Sequence, residues 1–185
     1  MAQTSSTFPS VYANISTDEL IRIYAAAPER LNALLKGLSV HELQEHAKPG
    51  KWSIQEIAIH LADAEIMGAA RIRQAFAEPG SNFAAYEQEI WAKAFDYQGF
   101  DSKAFFSAVM LFDSLRLNTT KIFHRAATDD WNKFGNHPHW GKLTLRQLLE
   151  LYADHGERHI HQILELRILV DKPMEFDLLL TKRLY

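Results

Sequence analysis

The chain has 185 residues, 47% of them hydrophobic, with 20 Lys and Arg against 23 Asp and Glu, nine histidines and no cysteine. A length of ~100–200 residues suits one unit with a sizeable core, and the missing cysteine excludes disulfides, Cys-ligated zinc or iron–sulfur centres and a protein thiol nucleophile, so any metal must sit on His, Asp or Glu. A formal charge of −3 removes the general attraction for phosphate backbones and anionic lipid that clustered Lys and Arg would supply.

The N-terminus is polar, without a basic start or an apolar stretch, and predicts neither a secretory signal nor an anchor. No run approaches the ~18 apolar residues that span a bilayer. The expectation is a soluble, cytoplasmic protein with a small-molecule substrate and no nucleic-acid or membrane partner. Residues 1–16 are expected to be a flexible segment ahead of a single domain at 17–185.

Capping residues followed by apolar positions at three- and four-residue spacing recur four times, which is the pattern of amphipathic helices. The first segment opens near Thr17 and Asp18, carries Leu20, Ile21, Tyr24, Leu31, Leu34 and Leu35, and closes at Gly37; Pro28 inside it predicts a kink or a break. After the loop at Lys48-Pro49-Gly50, Ser53-Ile54-Gln55-Glu56 has the form of a capping box and starts a helix that runs to about Glu78. A short helical piece at Tyr86 to Phe95 crosses to the third helix, Asp101 to about Ala127, where Phe105, Val109, Phe112, Leu115, Thr119 and Phe123 keep helical spacing. Thr144-Leu145-Arg146-Gln147 is a second capping box and opens the last helix, Leu145 to Leu169, ahead of Asp171-Lys172-Pro173. Met174 to Leu180 needs no sheet. The fold class is all-α, a four-helix bundle.

Helical phase sorts the histidines. Positions four apart differ by only ~40° about the axis, so His155 and His159 share a face of the last helix with Tyr152, Gln162, Leu148, Leu151 and Leu166, the stripe that faces the core. Two imidazoles one turn apart on such a stripe form a bidentate metal clamp. The segment His155-Gly156-Glu157-Arg158-His159 is not the HExxH of metalloproteases: glycine replaces the glutamate, and Glu157 projects ~200° away from His155. His60 supplies a third candidate from the second helix, on a stripe with Ile57, Ala64 and Met67. A single core histidine is more often only hydrogen-bonded, but burial without a partner is costly, and three on interior stripes point to a metal. Glu56 and Asp63 lie roughly on the face of His60 and are candidates to orient it or shuttle a proton, although Glu56 is also the capping residue and Asp63 could be solvated. His137 and His139 stand in a turn, Asn136-His137-Pro138-His139-Trp140-Gly141, that either lies exposed or closes over the site with Trp140 as an apolar wall. Trp140, Tyr152 and Gln162 are the candidates for lining a substrate pocket.

Three blocks carry a family resemblance. Pro49-Gly50-Lys51-Trp52-Ser53-Ile54-Gln55-Glu56 with His60-Leu61-Ala62-Asp63-Ala64-Glu65 comes first. His137-Pro138 with Gly141-Lys142-Leu143-Thr144-Leu145-Arg146-Gln147-Leu148-Leu149 follows, then Tyr152-Ala153 with His155, His159 and Gln162-Ile163. In this order and spacing they resemble the DinB/YfiT-like superfamily over about Thr17 to Arg167. The resemblance implies a four-helix bundle with a long crossover connection, often a homodimer, holding a divalent metal, zinc or nickel, on His60, His155 and His159. It further implies a metal-dependent enzyme, either a hydrolase or an S-transferase that uses a low-molecular-weight thiol as co-substrate. Relatives commonly carry a histidine where this chain has Arg158, which lies off the ligand stripe.

Three neutral imidazoles leave the ion its full charge and an open position, where a bound water or thiol becomes a nucleophile. The alternative is a non-catalytic metal- or ligand-binding bundle in stress response or sensing. Accessibility separates the two: a pocket over an open metal face favours an enzyme, and a fourth protein ligand favours a structural site.

Overall fold

Both predicted capping boxes form. Ser53 Oγ accepts from the Glu56 amide at 3.2 Å while Glu56 Oε2 accepts from the Ser53 amide at 2.8 Å, and Thr144 and Gln147 repeat the exchange at 3.2 and 2.9 Å. The computed structural model describes residues 8, 9 and 11–180. Its elements are α1 (Thr17–Leu35), α2 (Val40–Gln44), α3 (Ile54–Ala77), α4 (Gln88–Ala94), α5 (Ser102–Phe123), the strands β1 (Phe134–His137) and β2 (Gly141–Thr144), and α6 (Leu145–Leu169), with 3-10 turns at Tyr97–Gly99 and Thr128–Asn132. Among these helices none is long and apolar enough to cross a membrane.

The four long helices α1, α3, α5 and α6 form the bundle. Helix α1 packs on α5 and α6, and α3 packs on the same two helices, so the consecutive pairs α1–α3 and α5–α6 face each other across the diagonal. Two apolar clusters fill the interior. One contains Leu20 to Tyr24 of α1, Ile72 and Ala75 of α3, Phe123 of α5 and Leu145 to Ala153 of α6. The other takes Ala27 to Leu34, Ile54 to Ala62, Phe105 to Phe112 and Ile160 to Leu166 from the same helices. Helices α1 and α6 therefore run from the first cluster to the second, and α3 and α5 run the opposite way. Because α3 and α5 are parallel neighbours, residues 78–101 must return along the length of the bundle, from Phe83 in the first cluster to Tyr97 in the second. This is the long crossover connection.

Where the clusters meet, the helices contribute polar side chains. Arg116 of α5 and Glu65 of α3 are fully buried and paired, Nε to Oε2, at 2.5 Å. Tyr24 donates to the other carboxylate oxygen, and Arg116 Nη2 donates to the Tyr152 carbonyl at 2.9 Å. Arg116 also resolves the proline in α1. Pro28 has no N–H to give the carbonyl of Tyr24 four residues earlier, and Arg116 Nη1 takes that carbonyl at 3.1 Å. The helix does not break at Pro28, and α1 is one 19-residue element.

Other differences from the sequence reading are local. Helix α5 ends at Phe123 rather than near Ala127, and α4 is shorter than the stretch Tyr86 to Phe95. The turn at residues 136–141 belongs to a hairpin in which His137 faces Gly141 and Phe134 faces Thr144, and Gly141 takes the left-handed φ of 66° that closes it. Of the segment 1–16, expected to be flexible, residues 1–7 and 10 lie outside the described residues. Phe8 and Tyr12 are buried, and Tyr12 donates to Asp154 Oδ1 at 2.5 Å. Glu157, directed away from the histidine stripe, is buried against Arg30 of α1 at 3.0 Å and accepts from the Leu179 amide at 2.8 Å, which ties the C-terminal stretch to the bundle.

Candidate metal centre

His60 of α3 and His155 and His159 of α6 converge at the level where the two apolar clusters meet. His155 Nε2 lies 3.1 Å from His60 Nε2 and 3.2 Å from His159 Nε2, and the three ligand atoms all lie within 4.8 Å of one another. A divalent ion bound tetrahedrally at ~2.0–2.1 Å holds its nitrogens ~3.3 Å apart, and the two spacings about His155 fit such an ion. Among the described residues no carboxylate or further imidazole joins the three.

The outer ring nitrogens of His159 and His60 have partners. His159 Nδ1 lies 3.0 Å from Gln162 Oε1, an oxygen that can only accept. The proton therefore sits on Nδ1, and the inward Nε2 carries a lone pair. His60 Nδ1 lies 3.1 Å from the Tyr86 hydroxyl. Tyr97 interacts with Tyr86 and donates to Asp63 Oδ2. Two phenols thus stand between a carboxylate and a histidine, a longer version of the carboxylate–histidine arrangement around metals.

Burial depresses all three imidazoles. His60 and His155 fall well below the usual histidine range, chiefly by desolvation and then by the neighbouring His159; His159 falls to about 4 by desolvation and the Arg158 charge. All three are neutral at pH 7, the state that ligates a metal.

The sequence candidates divide on contact with this centre. Tyr152 and Trp140 line a cavity of about 680 Å³ that opens onto the histidines. Gln162 is not on the cavity wall, because its amide is turned to His159. Asp63 reaches His60 only through Tyr97 and Tyr86. Glu56 does not orient His60: its carboxylate caps α3 at Ser53 and lies 3.5 Å from His46. His137 and His139 stand on the cavity wall. His137 Nδ1 accepts from the amides of His139 and Trp140 at 3.2 and 3.3 Å, and burial, Arg71 and His139 lower its pKa to about 4. Trp140 packs edge-on against Phe8 with ring centroids 5.8 Å apart.

Tyr86, Tyr97 and Arg71 were not singled out from sequence. Tyr86 and Tyr97 stand in the crossover, which has no periodicity to phase. Arg71 had a signal: it follows His60 by eleven residues, within ~20° on the helical wheel, and its side chain is buried on the same cavity wall. Between them lies Gly68, where a Cβ would stand 2.6 Å from the Tyr152 ring, so glycine is what lets Tyr152 lie across α3.

The sequence matches the DinB superfamily over residues 23–163. It is 29% identical over 140 residues to a Bacillus cereus (strain B4264) protein named "Putative metal-dependent hydrolase", across 76% of this chain and 79% of that protein. A protein with the same description from Halalkalibacterium halodurans is 25% identical over 143 residues, 77% of this chain and 81% of its own. Among solved structures, YfiT from Bacillus subtilis, titled "a probable metal-dependent hydrolase with an unusual four-helix bundle topology", superposes with a TM-score of 0.79 at 20% identity, covering 90% of this chain and 94% of its own, and so shares the fold. With the match spanning parts of all four bundle helices, the chain belongs to the DinB superfamily.

Proposed function

We propose that the protein binds one divalent cation, zinc or nickel, on His60, His155 and His159 and is a metal-dependent hydrolase of a small molecule. The observation that carries this reading is the convergence of three inward Nε2 atoms beside a cavity, with no fourth ligand among the described residues. The names of the relatives agree with it. A structural ion would instead be closed off by the protein.

When bound, the ion supplies a Lewis acid that activates water, or a low-molecular-weight thiol in the S-transfer version of the same chemistry. The chain itself does the positioning. Gln162 holds the His159 tautomer, and Tyr86 is the hydrogen-bond partner of His60 Nδ1. Trp140 and Tyr152 form walls that limit water, and His137 stays neutral beside them.

A homodimer belongs to the same reading and is supported by an outward stripe on α5, where Phe106, Met110 and Leu117 are exposed; light scattering at micromolar concentration tests it. The function is tested by metal analysis of untagged protein, then by activity screens on esters and amides with and without cellular thiols. Metal-dependent turnover without thiol is expected. Turnover that requires the thiol moves the assignment to S-transfer, and stoichiometric metal without turnover across the screen supports a binding protein.

A further inference from the structure

The geometry points to a carboxylate subsite at Arg71 in the wall of the histidine cavity, and hence to a small organic substrate that carries a carboxylate. The inference deepens the proposed function, since it names the substrate class of that site. Arg71 is 6% exposed, yet among the described residues it has no ion pair with a carboxylate. Nη1 donates to the Tyr152 hydroxyl at 3.0 Å and Nη2 to the Ala84 carbonyl at 2.7 Å, both neutral acceptors. Nε is buried with no hydrogen-bond partner. Arg116, equally buried, has Glu65. A buried charge without a counter-charge is costly, and the volume that adjoins this one is the cavity.

The remaining charges of the wall agree. Glu87 is its sole carboxylate and is exposed, whereas Arg158 at the histidine end already has Asp154 at 3.6 Å. Besides any bound ion, Arg71 is the positive charge of the wall that lacks a carboxylate partner, which suits an anionic group on the ligand. A guanidinium has five N–H donors, and the three that remain on Arg71 suit the planar two-oxygen face of a carboxylate. Arg71 follows His60 by three turns of α3, ~16 Å along the axis. A ligand anchored at Arg71 can thus place another part of itself toward the histidines, with Trp140, Leu151 and Tyr152 beside its apolar portion.

The test uses the full chain, zinc-loaded and chelator-treated, titrated calorimetrically with benzoate and with its neutral counterpart benzamide. In both forms benzoate is expected to bind about tenfold or more tightly than benzamide. Arg71→Met should remove that preference while one zinc per chain is retained, and Arg71→Lys should restore part of it. A purely structural Arg71 would shift both ligands alike. Benzoate binding that vanishes with zinc and is unmoved by Arg71→Met would place the anion on the ion and overturn the inference. Should Arg71→Met fail to fold, the Arg71 Nε–H resonance of the wild type, assigned by its loss in Arg71→Lys, must move on adding benzoate, and an unmoved resonance overturns the inference. Failure to load zinc counts against the proposed function alone, because the chelator-treated arm still reports on Arg71.

Discussion

Two buried polar networks meet in the middle of this bundle, and they are built oppositely. Around Glu65 and Arg116, charge meets charge at 2.5 Å, Tyr24 donates to the second carboxylate oxygen, and the guanidinium accounts for the carbonyls of Tyr24 and Tyr152. Around His60, His155 and His159 the inward nitrogens face one another, and nearby Arg71 has only neutral partners. The closed network fastens α1, α3, α5 and α6 together at the level where the apolar packing is interrupted. The open network has two of its rings held from outside and its remaining valences directed at a cavity. A buried polar group that is satisfied within the chain reads as architecture, and one that is held in place but left incomplete reads as a binding site.

The comparison breaks most readily at the closed network. Arg116→Met leaves Glu65 buried without its counter-charge and returns the Tyr24 carbonyl to an unpaired state beside Pro28. A loss of ~3–5 kcal/mol is expected, seen as a fall in the denaturation midpoint, whereas a loss under ~1 kcal/mol would mean that the pair is not structural. Gly68→Ala should cost ~1–3 kcal/mol by overpacking, since its Cβ meets the Tyr152 ring at 2.6 Å; unchanged stability and unchanged Tyr152 chemical shifts would contradict that contact. Tyr86→Phe removes the hydrogen-bond partner of His60 Nδ1 and should weaken metal binding ~10-fold with little change in the melting temperature. Asp63→Asn should act in the same direction through Tyr97, and chelator competition measures both.

A pH-dependent effect concerns His137. Its folded pKa of about 4 lies below the ordinary value of ~6.5, so the unfolded chain binds the proton more readily. The stabilising effect of keeping His137 neutral is complete above pH ~6.5 and is lost as the pH falls toward 4, at a slope of at most ~1.4 kcal/mol per unit. Ring-carbon NMR should show no titration of His137 between pH 8 and 5, and a midpoint near 6.5 would remove it from the buried wall.

Much of this was legible because it is local. The boxes Ser53/Glu56 and Thr144/Gln147 announce their helices within four residues, and phase alone aligns His155 with His159 and turns His60 inward. Phase also held Arg71, eleven residues after His60, although an arginine late in a helix reads as solvated until its surroundings are known. Contacts set by the path of the crossover were not legible. Tyr86 meets His60 only because α3 and α5 are parallel and the connection must travel back over the cavity, and this same path diverts Asp63 to Tyr97. Pro28 signalled a break because its remedy, Arg116, lies 88 residues further along the chain. Helix α2 was missed despite the box at Ser39 and Glu42, being only five residues long.

The proposed chemistry needs one divalent ion shared by His60, His155 and His159. Its most direct test is the metal content, by mass spectrometry, of untagged wild type and of folded His155→Ala, each loaded with zinc and desalted. One ion per chain in the wild type and none retained in the variant is the predicted result. Stoichiometric metal in the variant, or none in the wild type, would contradict it.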